Sequence, residues 1–188
     1  MISFYYLTHR FKRSLLEITS ESPVVYYWDP DPLSKERLPN EIVFKIAIGK
    51  KAYDIIRRYE DRGQFFSQKN IDILSQFVDM SDKCYPIKIE GIEEQYYIIY
   101  NLEAYPYWNR EEVTFMYDPC YFGMQDPSTP IFGIEGTLFI MVSEEVKDAL
   151  LKNKVSNIEL IESFGCSLEE YKEVRNKQKS EVHVYRDK

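Results

Sequence analysis

The chain has 188 residues, 44% hydrophobic and 29% charged, a composition that excludes disorder as a whole-chain description and provides for one domain or two small ones. Its net charge of −7, from 24 basic and 31 acidic residues, argues against nucleic acid or an anionic membrane as partner, since neutralising phosphates takes a basic patch. A basic protein is the partner that this charge favours.

Residues 2–7 read as a strand. Their apolar run precedes the first charges and no cleavage site follows, so a signal peptide is not expected. No apolar run approaches the roughly eighteen residues of a membrane span, and the expected location is the cytoplasm. A basic patch at Arg10, Lys12 and Arg13 is followed by an apolar run at 15–18 and a strand at 24–28. The prolines of 29–40 refuse both helix interior and central strand and mark a loop. Ile42, Phe44, Ile46 and Ile48 then alternate as a strand that Gly49 ends. Residues 50–61 fit a continuing strand or a helix with Ala52, Ile55, Ile56 and Tyr59 on one face, the helix being preferred.

Ser67 and Ser143 each stand before a helical apolar stripe, Ile71 and Leu74 in the first, Val146, Ala149 and Leu150 in the second, where a serine hydroxyl can cap orphan N–H groups. Strands are expected on both sides of each helix. The two strand–helix–strand units, near 65–89 and 137–161, match at Ser, Asp and Leu with equal spacing, as any two Ser-capped amphipathic helices would tend to. Between them lie a tyrosine-rich strand at 95–102, an exposed turn at 103–108, a strand at 113–117 and a proline-containing loop at 118–130. Ser167 and Glu170 form a capping box flanked by Cys166 and Tyr171 as a hydrophobic staple, and 181–185 suggest an edge strand. The fold expected is a single α+β domain over 1–188, a mixed, largely antiparallel sheet packed by two or three short Ser-capped helices.

No sequence signature for nucleotide binding, hydrolysis or zinc is present. His9 and His183, the only two histidines, read as surface imidazoles, Asp29 and Asp31 as solvated turn residues. Neither a metal site nor a cofactor is expected. Cys84, Cys120 and Cys166 read as unbridged thiols, Cys120 more as a small buried hydrophobe than as a loop nucleophile.

One distribution stands out. Between Glu90 and Asp126 there are eight acids against one base, Arg110, a charge of −7 that leaves the remainder neutral, interleaved with ten aromatic residues. Rings that anchor and carboxylates that steer suit a protein-binding face, with Glu103, Tyr105, Tyr107, Trp108, Glu111, Glu112, Asp118 and Tyr121 as the candidate contacts. The competing reading is strands with rings inward and acids solvated. It accounts for 96–100 and 115–117, and less well for 105–108 in a predicted turn.

The stretch Tyr97-Ile-Ile-Tyr-Asn-Leu-Glu-Ala, the strand through Val142, the helix Ser143-Glu-Glu-Val-Lys-Asp-Ala-Leu-Leu and the following Ser156-Asn-Ile-Glu-Leu resemble a bacterial family of about this length. It was first catalogued as a domain of unknown function, and some members are assigned as immunity proteins of polymorphic toxin systems. The resemblance spans about 65–163 and departs at Val155-Ser156-Asn157, where the family commonly has a glycine. It implies a cytoplasmic binding protein that neutralises a cognate, basic toxin domain by contact, with no catalytic residues to carry over and no cofactor. The alternative is a small hydrolase-like enzyme using Cys120 or carboxylates of the acidic segment. Oligomeric state is left open.

Overall fold

The computed structural model describes residues 1–20, 43–60, 63–110, 118–124, 126 and 128–186, with side chains as far as Lys177. The strands expected at 24–28 and 113–117 and the loop at 29–40 lie outside these residues. Where the sequence predicts one sheet, the strands divide into two, and period-two alternation decides which core each side chain enters. The first sheet is a closed barrel in the order β2 (Glu17–Thr19), β3 (Val43–Ile48), β6 (Cys84–Ile89), β7 (Tyr96–Ile99), β5 (Gln64–Ser67) and β4 (Ile55–Arg58). The second has six strands in the order β8 (Ala104–Tyr105), β10 (Ile131–Ile134), β11 (Ile140–Val142), β1 (Ile2–His9), β12 (Ile158–Gly165) and β9 (Tyr121–Phe122). Most pairs are antiparallel; β2 with β4, β3 with β6, β8 with β10 and β9 with β12 are parallel. The chain is therefore a single α+β domain with mixed sheets.

Three cores follow from the alternation. Ile56, Phe65, Tyr96 and Ile98 fill the barrel, where the Tyr96 hydroxyl donates to the Tyr53 carbonyl at 2.7 Å. Phe4, Tyr6, Phe122, Phe132, Ile134 and Met141 form a core on one side of the second sheet. Their neighbours Leu7, Ile55, Phe66, Ile131, Ile140 and Val142 point the other way, into a core shared by the two sheets and by the helices α1 (Gln68–Leu74) and α2 (Glu144–Lys152). Ile71, Ile73, Leu74, Val146 and Leu150 are buried there as their helical spacing requires, while Ala149 is only half-buried.

The caps differ in kind. Ser143 Oγ accepts the Val146 N–H at 3.5 Å, and Glu144 and Glu145 lie in the first turn against the positive end of the helix dipole. Ser67 holds the extended N-cap conformation, but its hydroxyl donates to Asp54 Oδ1 at 3.1 Å instead of capping. At α3 (Leu168–Arg186) the capping box forms both ways: Glu170 N–H donates to Ser167 Oγ at 3.1 Å, and Ser167 N–H donates to Glu170 Oε2 at 2.8 Å.

Several expectations are corrected. Residues 50–61 hold strand β4, not a helix: Ile55 and Ile56 are both buried because the strand runs between two cores, and Tyr59 is exposed. Residues 181–185 continue α3, in a run rich in Glu, Lys, Gln and Arg that favours helix. The strand expected from Thr137 begins at Ile140, after a turn in which Gly136 takes φ +66°. Among the described members of the alternating set Phe44 turns inward, whereas Ile46 and Ile48 are exposed. His9 is buried at the end of β1, not a surface imidazole. No described helix is long and apolar enough to cross a membrane.

Candidate functional site

The segment expected as an exposed turn, 103–108, is a structural closure. Its first half pairs with β10, Gly133 N–H donating to Glu103 O at 2.7 Å and Glu135 N–H to Tyr105 O at 2.9 Å. Its second half pairs with β9 at the opposite side of the sheet, through Gly123 N–H to Pro106 O and Trp108 N–H to Tyr121 O, each 2.8 Å, and a bridge between Tyr107 and Phe122. One extended stretch thus joins the two outer strands.

Side chains lock that join. Asn109 donates from Nδ2 to Pro119 O at 2.9 Å and accepts the Tyr121 N–H on Oδ1 at 2.8 Å, while Ser163 Oγ accepts the Cys120 N–H at 3.1 Å. Trp108 donates its indole N–H to Cys166 O at 3.0 Å and lies over Gly123, where an added Cβ would stand 2.3 Å from the ring. A side chain at 123 is excluded by that approach, so the glycine is needed here for space.

These contacts place the candidate residues. Tyr105 is 4% exposed, its ring edge-on to Phe132 at 5.1 Å; it is a core residue, against the exposed anchor expected. Tyr107 is half-buried against Phe139, and burial pushes its hydroxyl well above the ordinary tyrosine range. Tyr121 lies between Phe164 and Tyr171, with centroid distances of 5.4 and 5.5 Å. Tyr107, Trp108, Asp118 and Tyr121 belong to one neighbourhood, where β9 meets the closing stretch. Glu103 is exposed and precedes β8, at the other end of that stretch. Glu111 and Glu112 lie outside the described residues.

The acids and rings of the segment are sorted by solvent. Glu90, Glu93, Glu94, Glu103 and Asp126 are exposed, whereas Tyr96, Tyr100, Tyr105 and Phe122 are buried. None of those five carboxylates is ion-paired among the described residues. Asp126 is held below the usual carboxylate range by the Ser128 hydroxyl and N–H, at 2.6 and 2.9 Å.

Cys120 is 2% exposed, and burial pushes its thiol up to about 12, so at neutral pH it carries the proton that a nucleophile must shed. All three cysteines are free thiols. No group of three metal-ligating side chains occurs among the described residues.

Sequence reasoning missed a polar node at Asp54. Its carboxylate accepts from the Ser67 hydroxyl, the Ser156 N–H and Lys69 Nζ; its N–H donates to Ser156 Oγ at 2.9 Å, and its carbonyl accepts from Asn70 Nδ2 at 2.6 Å. Burial raises this carboxyl, yet the Ser156 bonds, Lys69 and Ser67 together bring it below the usual range. The node ties the start of α1 to the loop between α2 and β12, where Asn157 takes φ +61° and donates to Ile55 O at 3.1 Å. Its atoms are spent on the fold. A lone Asp in a loop gives no signal of this in the sequence.

Comparison with known proteins gives no match to any protein-family model and no significant match to a curated protein.

Proposed function

We propose that the protein is an immunity-type binding protein of the cytoplasm that neutralises a cognate, basic toxin domain by protein–protein contact. The observation that carries this reading is one-sided surface charge: Glu90, Glu93, Glu94, Glu103 and Asp126 are exposed and none of them is ion-paired among the described residues, in a stretch where the rings of Tyr107, Trp108 and Tyr121 stay half-buried. Exposed carboxylates of one sign raise the encounter rate with a basic surface and disfavour anionic competitors. The half-buried rings of Tyr107, Trp108 and Tyr121 lie near Asp118 and supply apolar contact; Tyr105 is buried against Phe132. The resemblance through residues 97–104 and 143–160 points the same way.

The test is co-expression with the toxin domain encoded beside the gene, scored by growth and by association kinetics of the purified pair. The wild-type chain should protect. Reversing Glu90, Glu93, Glu94 and Glu103 to Lys should lower the association rate by about tenfold or more and remove most of its salt dependence. An unprotected host and no measurable association of the wild-type pair would refute the reading.

A further inference from the structure

The loop after β1 and the loop after β3 are stapled side by side. Lys50 and Lys51 donate their N–H groups to Ser14 O at 3.2 and 2.9 Å, and Leu16 N–H donates to Lys51 O at 3.1 Å. Gly49, at φ +80°, passes so close to the other loop that a Cβ there would lie 1.9 Å from Leu15 O. The loops therefore cannot separate without losing backbone bonds.

That fixed approach gathers Arg10, Lys12, Arg13, Lys50 and Lys51, all exposed. None is ion-paired among the described residues. The described carboxylates nearby in sequence are engaged elsewhere: buried Glu17 takes Arg57 at 2.9 Å, and Asp54 is turned to Ser67, Ser156 and Lys69. Lys12 and Lys51 both direct Nζ at the Tyr53 ring, each 4.8 Å from its centroid, so the two ammoniums share one ring. Beside them Phe11 is 65% exposed, with the Arg57 guanidinium 5.0 Å from its centroid.

Like charges held together repel, and here the backbone staples prevent the loops from relaxing that repulsion. A chain with a net charge of −7 has kept a cationic face that no described carboxylate ion-pairs, around an exposed ring. We propose that this face binds single-stranded nucleic acid, the five cations lying along phosphates and Phe11 stacking on a base. Stacking aromatics flanked by backbone-tracking cations are the recurrent means of holding single strands. The overall negative charge does not oppose it, because contacts act within a screening length of about 8 Å at physiological salt. Phe11 favours a base over a lipid because the Arg57 guanidinium engages its ring, a polar neighbour that suits stacking better than entry into a bilayer; the exposed Ile46 and Ile48 of β3 are why vesicles are tested in parallel.

Fluorescence anisotropy of the full chain with labelled oligouridylate and oligothymidylate tests this, with phosphatidylserine vesicles in parallel. The oligonucleotides should bind at about 50 mM salt and weaken at least tenfold by about 200 mM. Arg13→Glu with Lys50→Glu, whose side chains make no described bond, should lose binding while melting like the wild type. Phe11→Ala should weaken affinity roughly tenfold with an unchanged salt slope. No binding at low salt, vesicle binding without oligonucleotide binding, or wild-type affinity in either variant would overturn the assignment.

Discussion

The barrel and the six-stranded sheet close by different means. In the barrel every neighbour is joined by a backbone ladder, and the closing pair, β2 with β4, is itself such a ladder. In the other sheet the outer strands meet through one bridge, and Asn109, Trp108 and Ser163 carry the join. Where a backbone ladder is short, side chains provide the missing donors and acceptors, and a single substitution can then open what a ladder would keep shut.

The largest test of that contrast lies beneath the side-chain closure. Phe132 is fully buried with rings of Phe4, Tyr105 and Phe122 at 5.0, 5.1 and 5.3 Å. Phe132→Ala should cost about 3–5 kcal/mol in denaturant unfolding. The same change at Phe65 in the barrel is the control, and only Phe132→Ala should also expose Cys120 to thiol reagents. A smaller loss isolates the closure itself: Asn109→Ala leaves the Tyr121 N–H and Pro119 O unpartnered and should cost about 1–3 kcal/mol, with faster amide exchange confined to 119–123. Uniform exchange in that variant would mean that backbone pairing suffices there as well.

The smallest effect concerns the node between the two sheets. Asp54 is held below the usual carboxylate range, so its contribution is present above the unfolded value, about 3.9, and is lost as pH falls through the lower folded value. Unfolding midpoints taken from about pH 6 down to 2 should fall below about pH 4 in the wild type. In Asp54→Asn that part of the acid limb should flatten, at lower stability overall. An unchanged acid limb would mean that Asp54 does not couple the sheets to pH.

How much of this was legible depends on where the determining contact lies. Helix starts are local, and Ser143, Ser167 and Glu170 declared them correctly. Strand β4 was not legible as such: Ile55 and Ile56 face different cores, so the alternation that marks a half-buried strand disappears, and the spacing with Ala52 and Tyr59 imitates a helix. The closure at 103–108 reads as an exposed turn in the sequence because Pro106 breaks the strand pattern. What turns Tyr105 inward is β10, far along the chain. The acidic segment was visible in composition, and alternation already offered solvated carboxylates with inward rings at 96–100, where Tyr96 and Tyr100 are indeed buried; only for Tyr105 did that split need the pairing with β10. Three of the five cations of the basic face, Arg10, Lys12 and Arg13, were visible too; Lys50 and Lys51 join them through the backbone bonds to Ser14 and Leu16.

The join at 104–109 also bears on how the protein fares when crowded by its own copies. An open sheet ends in strands with free N–H and C=O groups, which template pairing with other chains and seed aggregation. Here the strands that would form those ends, β8 and β9, meet through one stretch, and the barrel has no end strand. Natural proteins often guard a sheet margin with lysines or a proline; this one shortens it, β9 covering Phe164 and Gly165 of β12 and β8 covering Gly133 and Ile134 of β10, with both tied to one stretch. The protection then rests on the bonds around Asn109. A variant that loosens them should reveal itself first by concentration-dependent loss of protein, at temperatures where its circular dichroism still reports a folded chain.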